Sequence, residues 1–295
     1  ARGSTAPPPL AGAPPPHPMS TRNLLGFADK LRWYHWAGGA FTAGAFNVGI
    51  LVGIAKSYRW CYADHEEKAD RFRERFGMPT EQQRLEIFSW MAHKWDKSVA
   101  VLEKSNAELY RKELLQDACG DVLEVAVGTG RCFDALSDSG DVRSFVGVDC
   151  VEAMLEVARP KLADLPFPAR VAHGDAHRLP FPDASFDTVL GTLCICSVEH
   201  PATALREMAR VCRPGGRIYL IEPGIASSWP IRTMQRYLRL VPDPKHAWEA
   251  GWFDDRDPRQ LVQSCPELVS TRVVTRAMGN WYLISARPSA GPQEE

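Results

Sequence analysis

The chain has 295 residues, 35 basic and 36 acidic, for a net charge of −1. No bulk field therefore recruits nucleic acid or acidic lipid, and the length suits one ordinary domain with attachments. The eight cysteines (Cys61, Cys119, Cys132, Cys150, Cys194, Cys196, Cys212 and Cys265) are scattered, several of them inside apolar patterns. That suits reduced, buried thiols better than a disulfide framework. Cys194 and Cys196, two apart on a predicted strand end, share a face, but no second Cys or His pair completes a zinc set, so no metal site is expected.

Residues 1–20 form a Pro/Ala-rich extended arm that cannot build a core. The missing initiator Met fits a mature form left after removal of a targeting sequence. Residues 21–62 read as a membrane anchor. Residues 36–55 carry no charge, and a helix of that length crosses roughly 30 Å of hydrocarbon. Arg32, Trp33, Tyr34 and Trp36 on one side, with Lys56, Tyr58, Arg59, Trp60 and Tyr62 on the other, supply interfacial anchors for a transmembrane helix over about 36–56. Ala45, Gly49 and Gly53 form a small-residue stripe for close helix packing. The competing reading is a glycine-rich loop or a buried soluble helix. Lys56, Arg59, Lys68, Arg71, Arg73 and Arg75 outnumber Arg22, Lys30 and Arg32, which places the C-terminal part on the positive-inside face.

Residues 63–118 make a charged stalk and a helical lead-in. Over 80–116 the pattern predicts two helices, with apolar Leu85, Ile87, Phe88 and Met91, then Val99, Leu102, Leu109 and Leu114.

The most informative segment is DVLEVAVGTGR, residues 121–131. An apolar strand (Val122, Leu123, Val125) enters a loop with Gly128 and Gly130, and a helix is predicted from Arg131. A second strand over 144–149 ends in Asp149. Strand, glycine turn, helix and a carboxylate at the next strand's tip form a nucleoside-binding constellation: glycines admit a ligand to the backbone, and the acid accepts from ribose hydroxyls. Counting from Gly128, the third glycine of a dinucleotide loop is replaced by Phe133, which argues against a nicotinamide or flavin site. No GxxxxGK[ST] loop occurs.

Further elements follow in order. A helix starts at Val151, a third strand lies near 169–172, and GDAHRLPFPDASFD (174–187) leads to a fourth strand over 187–191. A helix with apolar Ala204, Leu205, Met208 and Val211 ends in a turn at Gly215 and Gly216. A fifth strand starts at Arg217, a helix covers about 231–240, and the last strands lie near 268–276 and 280–287. Trp248 and Trp252 fit either a pocket wall or core packing. The catalytic domain is expected over 119–288, with a tail at 289–295.

This succession resembles the class I S-adenosylmethionine (SAM) methyltransferases, in the methyltransferase type 11 group. Motif I is represented by Glu124, Ala126, Gly128 and Gly130, with Ala126 in place of the usual first glycine. The acid after Gly174, Asp175, and the backbone of Ala176 correspond to the adenine-contacting pair. A carboxylate suits the donor adenine N6, and an N–H suits the acceptor N1. The resemblance implies an α/β, Rossmann-like, doubly wound, seven-stranded, mostly parallel sheet. It implies a SAM site, with S-adenosylhomocysteine as product, built from Glu124, Ala126, Gly128, Thr129, Gly130, Asp149, Cys150, Asp175, Ala176 and Thr192. It also implies that the helices before the first strand fold over the cofactor as a lid, an alternative to simple packing on the sheet.

With Cys196 and Ser197 after strand four, the chain is further similar to membrane-anchored methyltransferase-like proteins of the mitochondrial inner membrane and to microsomal thiol methyltransferases. Pro223 stands where those families have a histidine between Glu222 and Gly224. The quinone-biosynthesis methyltransferases look less similar. Glu199, His200 and Glu222 are candidate bases, each also explicable as a polar cap of a strand end.

Three readings compete. One is an active enzyme anchored through residues 36–56 in the mitochondrial inner membrane, or alternatively the endoplasmic reticulum, with a small, lipophilic or membrane-proximal acceptor. Another is a structural or assembly subunit of a membrane complex, held through the Ala45/Gly49/Gly53 face and the Pro-rich arm. The last, an RNA methyltransferase, is opposed by the near-neutral charge, and no nucleic-acid partner is expected.

Overall fold

The computed structural model describes residues 74–75, 79–102, 107–226, 228–237, 250–253 and 256–289. The arm, the anchor at 36–56, the Ala45/Gly49/Gly53 stripe and Trp248 lie outside the described residues. Among the described residues no helix is long and apolar enough to cross a membrane.

In chain order the elements are α1 (Glu81–Leu102), α2 (Glu108–Leu115), β1 (Cys119–Val125), α3 (Phe133–Ser137), β2 (Asp141–Asp149), α4 (Glu152–Ala158) with a 3-10 turn at Arg159–Asp164, and β3 (Ala169–His173). Then come β4 (Phe186–Thr192), α5 (Pro201–Val211), β5 (Cys212–Pro223), α6 (Trp229–Tyr237), α7 (Pro258–Gln263), β6 (Leu268–Arg276), a 3-10 turn at Ala277–Gly279, and β7 (Trp281–Pro288).

The seven strands form one sheet in the order β3-β2-β1-β4-β5-β7-β6. β1 to β5 run parallel, and β7 lies antiparallel to β5 and β6. The chain builds outward from β1 in one direction, then returns to place β4 on the other side. The crevice at the carboxyl ends of β1 and β4 is thus the switch point where open α/β sheets bind ligands.

Burial explains why the strands read as apolar runs rather than alternating ones. Val122, Leu123 and Val125 are all fully buried, because helices cover both faces of the sheet. One cluster joins Leu123, Val125, Val189 and Leu220 to Leu205 and Met208 of α5; another joins Val122, Phe145 and Ile221 to Leu115, Phe133 and Leu155. Each such side chain contributes about 1.5–3 kcal/mol through burial. The α5 stripe at Ala204, Leu205, Met208 and Val211 is buried as its spacing predicts.

Several elements depart from the sequence expectations. The two helices predicted over 80–116 are α1 and α2, but α1 runs on past Met91 through Leu102, for 22 residues. Leu109 is 61% exposed rather than packed, since α2 buries Arg111, Leu114 and Leu115. β5 begins at Cys212, and the residues between Cys212 and Arg217 bulge from the ladder where the pairing jumps from Phe186↔Cys212 to Thr188↔Arg217. Cys194 and Cys196 do not share a strand face. β4 stops at Thr192 because Leu193 takes a φ of 58°, and the Ser197 and Val198 N–H groups then turn back to the Cys194 carbonyl.

An ion cluster ties the amino ends of the strands together. Arg143 donates to Asp121 at 2.7 Å and to Asp187 at 3.0 Å, while Arg213 reaches Asp187 at 2.6 Å. Asp187 also accepts the Asp121 N–H at 2.8 Å. The Arg143 guanidinium holds the Asp121 carboxyl well below the ordinary range.

Candidate active site

The carboxyl ends of β1, β2, β4 and β5 deliver the polar groups. Asp149 closes β2, and its carboxylate joins two segments. Oδ2 accepts the Gly128 N–H at 2.8 Å, and Oδ1 accepts the Val151 N–H at 2.9 Å. Each oxygen keeps a second lone pair, which a vicinal diol can use. Burial pushes this carboxyl up, against the two N–H donors that favour its charge.

The loop after β1 bends through three left-handed residues, Ala126 (φ 59°), Gly128 (φ 54°) and Gly130 (φ 79°). A Cβ placed on Gly128 would meet no atom within 4 Å, so the glycine borders open space. On Gly130 a Cβ would fall 2.5 Å from the Phe133 ring. That ring occupies the space a dinucleotide fingerprint leaves empty, and it stands edge-on to Phe145 at 5.4 Å. Ala126 carries a methyl in a conformation that costs a non-glycine residue about 1–2 kcal/mol. Ala126→Gly, after allowing for the freer unfolded chain, is expected to raise stability by about 0.5–1 kcal/mol. An unfolding midpoint equal to or below that of the wild type in a thermal melt would show that the strain is relieved elsewhere.

Beneath this loop Glu124 is buried, with Oε1 3.4 Å from the Thr192 hydroxyl and no hydrogen-bond partner on Oε2. Burial pushes its carboxyl up to about 7, partly offset by Cys132, Arg111 and Thr192. Thr192 Oγ1 also lies 3.4 Å from Cys132 Sγ.

Past β3, Asp175 points a half-exposed carboxylate outward, while Ala176 is buried. Asp175 Oδ1 pairs with His177 Nδ1 at 2.8 Å and accepts the His177 N–H at 2.8 Å. The other ring nitrogen, His177 Nε2, accepts the His200 N–H at 3.2 Å. This places the ring proton on Nδ1, donated to Asp175.

The three candidate bases separate clearly. Glu222 is buried, and three successive amides bind it. Cys194 and Ile195 N–H reach Oε1 at 2.8 and 3.0 Å, and Cys196 N–H reaches Oε2 at 3.1 Å. Burial pushes its carboxyl up to about 7 against those donors. It shapes the loop after β4. Glu199 is exposed, 3.9 Å from the Arg84 guanidinium. The exposed His200 packs edge-on to His177 at 5.8 Å.

Sequence reasoning missed the groups that fix this loop and roof the site. Arg84 of α1, 2% exposed, donates to the Ser197 carbonyl and to Glu81 at 2.8 Å. Arg256 donates to the carbonyls of Ile195 and of Val198, the latter at 2.7 Å. The Phe253 ring lies 5.3 Å from the Arg84 guanidinium and 4.3 Å from that of Arg256. Leu85, Phe88, Ala92 and Trp95 of α1 pack on Val151, Ala153 and Met154 and on Cys150, whose thiol burial pushes up to about 12. Trp252 stands edge-on to Trp95 at 5.8 Å. α1 thus lies against the segment that follows β2, and Cys150 faces the helix with its side chain. Further along α1, Asp96 accepts the Thr129 hydroxyl at 2.6 Å, and the Thr129 carbonyl accepts from Lys161 at 2.6 Å. No local pattern signals the bonds from Arg84, Arg256 and Asp96 to the two loops, whose partners stand 33 to 113 residues apart.

A SAM molecule fits these residues on two observations: the unpartnered, buried Oε2 of Glu124 and the open position above Gly128. Comparison with known proteins agrees on the cofactor, but it corrects the expectation that quinone-biosynthesis methyltransferases look less similar, since relatives named for demethylmenaquinone are found. Residues 123–220 match the family described as "Methyltransferase domain". A demethylmenaquinone methyltransferase from Renibacterium salmoninarum is 36% identical over 164 residues, 53% of this chain and 66% of that protein. One from Deinococcus radiodurans is 36% identical over 141 residues, 46% of this chain and 58% of that protein. The chain therefore spans less than two thirds of these relatives. Among solved structures, a SAM-dependent methyltransferase from Thermotoga maritima, described as a possible histamine N-methyltransferase, has a TM-score of 0.51 at 21% identity, covering 69% of this chain and 99% of that one; it shows the shared fold. The matched segment is a methyltransferase domain, and SAM is the cofactor its residues fit.

Proposed function

We propose that the whole chain is a SAM-dependent methyltransferase acting on a lipophilic, quinol-like or otherwise acidic acceptor at a membrane. The observation that carries this reading is the convergence of Glu124, Gly128 and Asp149 on the switch point of the sheet, with Asp175 beside them. Glu124 would take the ammonium of the amino-acid moiety, and Asp149 the ribose hydroxyls. Asp175, aimed by His177, and the Ala176 N–H would take the adenine edge. SAM supplies a methyl carbon already activated on a sulfonium. The protein's contribution is to hold the acceptor in line and exclude water, and such positioning is worth several kcal/mol.

Glu222 and Asp149 are committed to backbone amides and Asp175 to His177, which leaves the exposed Glu199 and His200 as the candidate bases. An acceptor that loses its proton easily, such as a hydroquinone or a thiol, suits that arrangement. The relatives named for demethylmenaquinone support a quinone-type acceptor. The charge-free run at 36–55 and its aromatic flanks support attachment to a membrane; the mitochondrial inner membrane is the one that the resemblance noted above implies.

A second reading draws on the strained Ala126 and the absence of the histidine at Pro223: a methyltransferase fold serving as a structural or assembly subunit of a membrane complex. Methyl-labelled SAM, incubated with the full chain and membrane extract or hydroquinones in vesicles, separates the two. Transfer of label to a lipophilic product supports the enzyme; no transfer to any fraction, with the cofactor bound, supports the subunit.

A further inference from the structure

α1 is fastened at two points, Arg84 and Asp96, to loops that border the site. Near its start, Arg84 holds the loop after β4. Twelve residues later, about 18 Å along the helix, Asp96 holds the glycine loop. Its Oδ1 accepts the Thr129 hydroxyl at 2.6 Å, and its Oδ2 accepts from Lys161 Nζ at 2.6 Å. Lys161 Nζ also donates to the Thr129 carbonyl at 2.6 Å, and Arg131 lies 3.7 Å from Asp96. Lys161 belongs to the 3-10 turn that continues α4, the element on which the apolar face of α1 packs. Three segments therefore meet at one charged junction: lid helix, glycine loop and the end of α4. Charge-assisted bonds of this kind are short and directional, and here Asp96 serves three partners and Lys161 two.

We propose that Asp96 and Lys161 are positioning residues that latch α1 over the bound nucleoside, so that product leaves only when this junction opens. The inference rests on the cofactor reading given above. Thr129 is the coupling element. A ligand that orders the backbone of the glycine loop also presents the Thr129 hydroxyl and carbonyl to the latch, so binding and closure reinforce each other. Opening breaks the contacts of Asp96 and Lys161 together, which makes the two residues act as one unit.

Stopped-flow fluorescence of the full chain, with Trp95 beside the latch as reporter, measures release of S-adenosylhomocysteine. Asp96→Asn and Lys161→Met are each expected to raise the dissociation rate about tenfold, a change of about 1.4 kcal/mol. The double variant should stay within about twofold of the single ones, because both remove the same junction. Thr129→Val changes no charge and should raise the rate about threefold, which keeps the test decisive where Asp96→Asn lowers the unfolding midpoint. Association rates should change far less than dissociation rates. Wild-type dissociation rates in Asp96→Asn and Thr129→Val, or effects that multiply in the double variant, overturn the latch. No binding of S-adenosylhomocysteine to the wild type overturns the cofactor reading, and this inference with it.

Discussion

Glu222→Ala is expected to destabilise the protein by about 3–5 kcal/mol, because the N–H groups of Cys194, Ile195 and Cys196 lose their acceptor inside the fold. Each buried orphan donor costs about 1–3 kcal/mol, offset in part by relief of a desolvated carboxyl. At about 2–4 °C per kcal/mol for a domain of this size, the midpoint should fall by roughly 10 °C. Glu222→Gln should lose somewhat less, since one oxygen still accepts while the new amide opposes a remaining N–H. Thermal and urea melts measure both. The alternative assignment, Glu222 as general base, makes a different forecast: a glutamine variant as stable as the wild type with turnover abolished.

Glu124 carries the second large effect. With Oε2 unpartnered and its carboxyl pushed up to about 7 by burial, the ligand-free protein holds this group largely protonated at pH 6. The sign follows from linkage: its contribution to ligand-free stability is fully present below the ordinary carboxyl value of 4.5 and is lost as pH rises through about 7. A cationic ammonium docking beside it favours the carboxylate, so binding expels the proton. Calorimetry of S-adenosylhomocysteine in buffers of different ionisation enthalpy should register close to one proton released at pH 6. Apparent affinity should rise roughly eightfold from pH 6 to pH 7.5. Glu124→Gln should abolish the proton release and weaken binding about 10- to 100-fold, the worth of a hydrogen bond to a charged group. Proton release unchanged in that variant would assign the titration to another group.

Much of this site was legible in the sequence because its parts are local. An apolar strand ending in a glycine turn must project that turn from the sheet edge, and Asp149 at the next strand's tip must lie beside it. The bond from Gly128 N–H to Asp149 Oδ2 realises that geometry directly. Asp175 and Ala176 follow from β3 by the same logic. The bonds that hold α1 in place were not legible. Arg84, Asp96, Lys161 and Arg256 are surface-type residues in charged stretches, and only the folded sheet brings them to their partners. Glu222 shows how a location can be read while a role stays open between base and strand-end cap, and the structure gives the second. A carboxylate at the end of β5 near a reacting centre looks available, yet the left-handed turn at Leu193 aims three amides at it. Ala126 carried a readable signal, since a non-glycine residue in a glycine position announces either strain or a different bend.

One ligand decides whether this crevice is a SAM site. Titrating the full chain at pH 7 with S-adenosylhomocysteine, and separately with NADH, tests it most directly. One site per chain for S-adenosylhomocysteine, and none for the dinucleotide that Phe133 excludes, is the predicted result; no heat with S-adenosylhomocysteine, or tighter binding of NADH, would contradict it.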